Sequence, residues 1–586
     1  MTRLRSLTLG AALLFAAVPT LAQTAGEASG ANALISYRSI FHPVEAENGM
    51  VAAQDRLAAE VGRDILRKGG NVVDAAVATG FALAVTHPQA GNIGGGGFML
   101  IKLAGRADVI AIDYREMAPA AATRDMFLNA AGDVDNQRAR FSHLSAGVPG
   151  SVMGLTAALE KYGTMPLEDV MAPAIRLADK GFPVTDALAD ALGEYAERFA
   201  RDPSSVGYFT RKGAAFVQGD ILVQKDLART LKAIAKSGAK GFYEGAVADL
   251  IVAEMAANGG LITHEDLKRY KAVERAAVTG TYRGYDIVSM PPPSSGGVHL
   301  IEMLNVLEGY DLAAMGHNSA DYLGLLVETM RRAYADRSAY LGDPDFFSVP
   351  VAALTSDAYA EKLRKQINPR RASKSAAVAP GLGPVGESEQ TTHYSVMDKE
   401  GNAVAVTTTL NFTFGSSYSV NGAGFLLNNE MDDFSSKPGA PNGFGLLGGE
   451  ANEIGPTKRP LSSMTPTIVI KDGKAVFATG TPGGSTIINI VLQNVLNILD
   501  FGMNPMQANA SPKIHHQWQP DRITAEPGVS LDTISLMEGR GFIFSRSETG
   551  ALQQRPMGRT NTVMLHDGAL LGAADPREPD GAAAAY

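Results

Sequence analysis

Hydrophobic positions along the chain change period as the sequence advances. Between residues 48 and 86 they recur at helical spacing. GMVAAQDRLAAEVGRDILRKGG closes on a glycine pair, and NVVDAAVATGFALAVTHP ends at Pro88, so both predict helices. The glycine run in GNIGGGGFML interrupts the pattern. FMLIKLAGRADVIAIDYRE (98–116) then predicts a hairpin, two apolar strands about a polar turn. From about 150 to 270, and again from about 315 to 367, the positions return to helical spacing. PPPSSGG (291–297) predicts a rigid turn before a helix starting near His299.

After residue 390 the period falls to two. THYSVMDKEGNAVAVTTTL predicts two strands about a Gly-Asn turn, TPTIVIKDGKAVFATG two about Asp472-Gly473, and TNTVMLHDGALLGAADP two about Asp567-Gly568. Asp-Gly between alternating apolar runs is a strong hairpin signal. GGSTIINIVLQNVLNILDFG predicts a helix entered through Gly483-Gly484-Ser485. Four hairpins suffice for two antiparallel sheets, and sheets with helices outside them make a layered α+β fold. The low-bulk segment 371–390 has hairpins on both sides, so it crosses one core and does not divide two domains.

Composition narrows the class. The 586 residues are 45% hydrophobic and 19% charged, with a net charge of −9. An acidic chain without a Lys/Arg block has no electrostatic reason to bind nucleic acid or an anionic membrane. The N-terminus predicts a cleaved secretory signal, residues 1–22: MTRLR is basic, SLTLGAALLFAAVP apolar, and T-L-A ends at Ala22. Its removal takes Arg3 and Arg5 away, leaves a charge of −11, and leaves no membrane anchor. The expected location is the periplasm or the medium. There is no cysteine, which excludes disulfides, thiol catalysis and Cys-ligated metal.

The chemistry is reached by elimination. There is no G-x-S-x-G elbow and no H-E-x-x-H, and the ten histidines show no ligand spacing. His515-His516 reads as a structural pair. Gly94–Gly97 lacks a following G-K-[ST] and reads as close backbone packing. No cofactor or metal is implied. What remains is hydroxyl catalysis without a Ser-His-Asp signature, and a threonine that owns a free α-amine is one solution to it. Such an amine has a pKa near 8, and nucleophile and base then share one residue. Thr391-Thr392 follows the low-bulk segment, where a cut after Gln390 would expose it. The residues alone leave Thr391 and Thr392 both open, and an ordinary strand start is the plain alternative. Gly483-Gly484 at a helix N-terminus could face an oxyanion. Arg115 could grip a carboxylate, and the loop residues Ser462-Ser463, Glu430 and Asp432-Asp433 could meet an amino-acid head.

These residues resemble the γ-glutamyltranspeptidase family of N-terminal-nucleophile hydrolases. The match spans nearly the whole mature chain: THPQAGNIGGGGFM, DYREMAP, GVPGSV, PPPSSGG, AYADR, GDPDF, TTHYSV, NNEMDDF, RPLSSMTPTIV and GTPGGS, in that order. The resemblance implies a four-layer αββα sandwich of two antiparallel sheets. It implies a precursor that cuts itself between Gln390 and Thr391 into a large subunit (23–390) and a small catalytic one (391–586), paired as a heterodimer. It resolves the threonine ambiguity to Thr391 as nucleophile. It makes Thr409 the hydroxyl assisting the amine, and Gly483 and Gly484 the oxyanion hole. Arg115, Ser462 and Ser463 then hold the substrate α-carboxylate, and Asn411, Glu430 and Asp433 surround its α-amine. The implied reaction transfers the γ-glutamyl group of glutathione or related compounds to water or to acceptor amino acids and peptides. One position departs from the pattern. The loop KPGAPNGFGLLGG has Phe444 where related bacterial enzymes carry a tyrosine, so this lid lacks a hydroxyl donor. Two rivals are a glutaryl-type acylase on the same fold, disfavoured by Glu430 and Asp433, and an exported binding protein that never self-cleaves.

Overall fold

The computed structural model describes residues 40–380, 391–437 and 449–586. The signal segment 1–22, Gln390 and Phe444 lie outside the described residues. Among those described, two seven-stranded sheets dominate. The first runs Ala582–Ala585, Gly49–Ala53, Thr392–Asp398, Ala403–Thr409, Gly96–Lys102, Val109–Tyr114 and Val273–Ala276. The second runs Val44–Ala46, Ala569–Ala574, Asn561–His566, Lys474–Gly480, Thr467–Lys471, Tyr285–Ser289 and Val278–Tyr282. Neighbours are antiparallel throughout. The four expected hairpins are all present. At two of the turns both central residues take positive φ: Asp472 (51°) with Gly473 (78°), and Asp567 (48°) with Gly568 (84°). That is what a two-residue turn needs to match the strands' twist.

Alternate residues of the first sheet serve two different cores. Val51, Ala53, Met99, Ile101, Val396 and Val404 pack under helices that include Arg56–Arg67, Val72–Thr86 and Ser151–Tyr162. Met50, Ala52, Leu100, Met397 and Ala405 face the second sheet, in a core shared with Ile468, Phe477 and Val563. Helices Gly296–Leu307, Ala320–Tyr340 and Thr486–Leu499 contribute to that same core and form the last layer. The expected αββα sandwich is therefore present. Strands from before and after the segment 381–390 are interleaved in both sheets.

One stretch differs from its reading. Gly49–Ala53, expected as the start of a helix, is a strand, and the helix begins at Arg56 behind the cap Asp55. All five strand residues are buried, because one face lies under helices and the other against the second sheet. A strand covered on both faces shows no polar alternation, and a short apolar run does not declare its period. The edge strands Val273–Ala276 and Val278–Tyr282 also went unread; their exposed alternate positions are typical of sheet edges. Among the described residues, no helix is long and apolar enough to cross a membrane.

Candidate active site

The register of one hairpin fixes the centre of the site. Thr392 pairs with Thr408, so the next residues outward, Thr391 and Thr409, stand at adjoining strand ends. Behind Thr409 lies the glycine run, packed as expected. A Cβ on Gly95 would sit 1.9 Å from the Thr409 carbonyl oxygen, and one on Gly97 2.4 Å from that of Thr407. Asn92 donates to the Thr409 carbonyl (2.8 Å), and the Thr409 hydroxyl accepts from the Asn411 amide (2.8 Å).

A cavity of about 320 Å³ opens at these strand ends, and Thr391, Thr409, Asn411, Gly483 and Thr486 all line it. The structure separates the two threonines. Thr391 faces the cavity, whereas the Thr392 hydroxyl donates to the Gln54 carboxamide oxygen. That oxygen also accepts from the His393 amide (3.3 Å), and Gln54 Nε2 donates to Glu578 (3.4 Å). His393 belongs to the support. Its ring lies between the Thr407 and Ser395 hydroxyls (2.9 and 3.0 Å), and burial lowers its pKa to about 3, so it is neutral.

Gly483 and Gly484 have φ of 133° and 57°, conformations that side chains resist, immediately before the helix Thr486–Leu499. Thr486 donates through its hydroxyl (2.6 Å) and its amide (3.1 Å) to the Gly483 carbonyl, which turns that oxygen into the helix. Among the described residues neither glycine amide donates a hydrogen bond. The pair therefore offers two N–H groups at a helix N-terminus, where partial positive charge gathers. Gly483 lines the cavity directly, with Gly484 next to it in sequence.

The amino-acid head residues form a second, drier group that does not line this cavity. Arg115 follows the strand Val109–Tyr114, and its guanidinium donates to Glu430 and Asp433. It donates as well to the carbonyls of Pro460 (3.2 Å) and Leu461 (3.1 Å), the residues just before Ser462. Ser462 Oγ accepts from the Met464 amide (3.1 Å), and Ser463 Oγ accepts from Arg337 (2.7 Å). Arg115, Glu116, Glu430 and Asp433 are all buried, so the acids are not solvated loop groups. Burial raises Glu116 to about 7 and Glu430 well above the ordinary carboxylate range, against the pull of Arg115. Burial also works against the Arg115 charge, but Glu430, Asp433 and Glu116 outweigh it and its pKa is raised. Glu430 Oε2 has no hydrogen-bond partner among the described residues. Asn411 links the two groups: it lines the cavity, and its side chain donates to the Asn429 carbonyl (2.9 Å), one residue before Glu430.

Other cavity residues carry no local signal in the sequence. Gln54 directly follows the strand that was read as helix. Arg555, Arg559 and Glu578 come from late loops and reach the site through tertiary packing alone. The His515-His516 pair is held by protein partners: His515 by Asn489 (2.8 Å) and Gln517 (2.8 Å), His516 by Asp521 (3.2 Å).

The family model described as gamma-glutamyltranspeptidase matches residues 58–585. A glutathione hydrolase proenzyme of Escherichia coli (strain K12) is 54% identical over 549 residues, covering 93% of each chain. The solved cephalosporin acylase from Bacillus halodurans superposes with a TM-score of 0.83 at 29% identity, covering 94% of this chain and 98% of its own. A Helicobacter pylori gamma-glutamyltranspeptidase chain is 50% identical with a TM-score of 0.55, covering 56% of this chain and 94% of its own.

Proposed function

The chain belongs to the gamma-glutamyltranspeptidase family, and we propose that Thr391 is the nucleophile of its γ-glutamyl transfer and hydrolysis. The observation that carries this is that Thr391, not Thr392, lines the cavity shared with Thr409 and Gly483. The precursor is self-processing. Thr391 Oγ attacks the Gln390 carbonyl, the acyl group moves from nitrogen to oxygen, and water cleaves the ester. This leaves Thr391 with a free amine. The segments 23–390 and 391–586 stay together as a heterodimer because their strands are interleaved in both sheets.

In turnover, the Thr391 amine takes the hydroxyl proton as Oγ attacks the γ-amide carbon of glutathione or another γ-glutamyl compound. The amides of Gly483 and Gly484 receive the oxyanion. Collapse expels the leaving amine, which takes the proton back, and a γ-glutamyl ester remains on Thr391. Water or the amine of an acceptor then attacks that ester by the same route in reverse. Thr409 and Asn411 orient the strand end. Arg115, Ser462 and Ser463 take the substrate α-carboxylate, and Glu430 and Asp433 the α-ammonium. Glu430 Oε2, buried without a hydrogen-bond partner among the described residues, favours a substrate with an ammonium over the glutaryl type. Export to the periplasm, after removal of residues 1–22, is part of this reading and rests on the composition of that segment.

The test is intact mass and N-terminal sequencing of protein held at neutral pH. Two fragments, the smaller beginning Thr391-Thr392-His393, are expected, and Thr391→Ala stays one chain without turnover. A parent protein that remains one chain yet releases γ-glutamyl product refutes the reading.

A further inference from the structure

The cavity has a wall for which the γ-glutamyl head of the donor has no use. We propose that Arg555 receives the free carboxylate of the acceptor amino acid or peptide, and so selects carboxylate-bearing acceptors. This rests on Thr391 being the nucleophile. Arg555 lines the same cavity as Thr391, as do Arg559 and Glu578.

The two arginines differ in what already holds them. Arg559 is taken up locally: Nε lies 3.6 Å from Glu578, Nη1 donates to the Gly558 carbonyl (2.6 Å), and its amide donates to Thr481 Oγ1 (2.8 Å). Arg555 is anchored by its backbone, whose amide donates to the Ala525 carbonyl (3.1 Å). Among the described residues its guanidinium makes no hydrogen bond or ion pair. Glu578 is balanced by Arg559, so Arg555 leaves this wall with an excess positive charge.

The reaction supplies an anion to match it. The donor's own carboxylate belongs, on the reading above, to the Arg115 cluster, away from this wall. The acceptor must bring its amine to the ester carbon on Thr391, and in an amino acid or short peptide the carboxylate sits a few bonds from that amine. A guanidinium pairs such a group through two parallel N–H bonds, fixing orientation as well as adding attraction. Water carries no such handle. With a donor whose leaving group carries no carboxylate, such as a p-nitroanilide, Arg555 therefore acts on transfer and not on hydrolysis.

The experiment uses matured enzyme with γ-glutamyl-p-nitroanilide as donor, and compares glycylglycine with glycylglycinamide as acceptor. For Arg555→Ala we expect kcat/KM for glycylglycine to fall about tenfold, mainly through KM, with the amide acceptor keeping its parent value. Arg555→Lys retains part of the difference, and Arg555→Gln behaves as the alanine variant while preserving bulk. Equal change for both acceptors, or none for either, overturns the proposal. A parent enzyme that releases no p-nitroaniline overturns the underlying reading of Thr391 instead.

Discussion

Replacing Gly95 by alanine tests whether the backbone behind Thr409 is held where the chemistry needs it. The φ of Gly95 is not in the left-handed region, so alanine meets no conformational barrier there. The whole effect is steric. The new Cβ would lie 1.9 Å from the Thr409 carbonyl oxygen and 2.8 Å from Asn92 Oδ1. Relief to ordinary contact needs a movement of about 1.5 Å. Gly95 cannot supply it alone, because its amide donates to Asn92 (2.9 Å) and its carbonyl accepts from Gly150 (2.7 Å) and Ser151 (3.0 Å). Thr409 must therefore move, and with it the strand end beside Thr391. A displacement of this size costs about 100-fold in rate, and overpacking costs about 1–3 kcal/mol of stability. The assay is the time course of chain cleavage by intact mass, followed by p-nitroaniline release from γ-glutamyl-p-nitroanilide, with circular dichroism to establish folding. The matched control is Gly193→Ala, in the helix Asp186–Glu194, where a Cβ meets nothing within 4 Å. A folded Gly95→Ala protein that matures and turns over within about threefold of the parent refutes the reasoning, since the expected loss is far larger.

Gln54→Met leaves the buried Thr392 hydroxyl and His393 amide without their acceptor, at about 1–3 kcal/mol; a lower denaturation midpoint and slower maturation are expected, and unchanged values of both count against the support role. Glu430→Gln removes from the proposed ammonium site a carboxyl whose ionisation burial opposes until an ammonium arrives, so KM for the γ-glutamyl anilide should rise about 10- to 100-fold while glutaryl-anilide turnover improves; parallel changes in both substrates would contradict the assignment. Glu302 and His299 are 2.6 Å apart, and burial raises Glu302 to about 8 and lowers His299 to about 3. The folded protein holds a proton on Glu302 that the unfolded chain releases near its ordinary pKa, so this stability is present in acid and is lost as pH rises towards 8. In urea titrations between about pH 5 and 8 the midpoint of Glu302→Gln should decline less than that of the parent, and parallel profiles would refute the shared proton.

Legibility in the sequence followed how local each cause was. The hairpins declared themselves because Asp-Gly turns and the strands they join are adjacent in sequence. Gly49–Ala53 did not, because its burial on both faces depends on helices and a sheet that a short run cannot foretell. The threonine pair was visible, yet which member is exposed depends on Gln54, which takes the Thr392 hydroxyl from 338 residues away. The acids near residue 430, taken alone, read more readily as solvated loop polarity. They are buried because Arg115, 315 residues from Glu430, reaches into their loop. Arg555, Arg559 and Glu578 had no pattern at all, since a cavity wall assembled from separate loops has no period.

The buried cluster also explains how an amino-acid head could be preferred without a rigid empty pocket. Before substrate arrives, Arg115 is satisfied by Glu430 and Asp433, and the raised pKa values of Glu116 and Glu430 limit the negative charge held away from water. A zwitterionic head brings an ammonium for the acids and a carboxylate for the arginine. Each buried charge then exchanges one partner for another, and none is stranded. A glutaryl head brings only the carboxylate. Drawing Arg115 towards it leaves an acid buried and alone, and breaking one side of such a pair costs about 3–5 kcal/mol. On the proposed assignment, discrimination against glutaryl substrates comes chiefly from that penalty on the wrong ligand. Glu430→Gln should therefore help the glutaryl substrate while harming the γ-glutamyl one. The amide cannot ionise, so it strands no charge beside the first and offers none to the ammonium of the second.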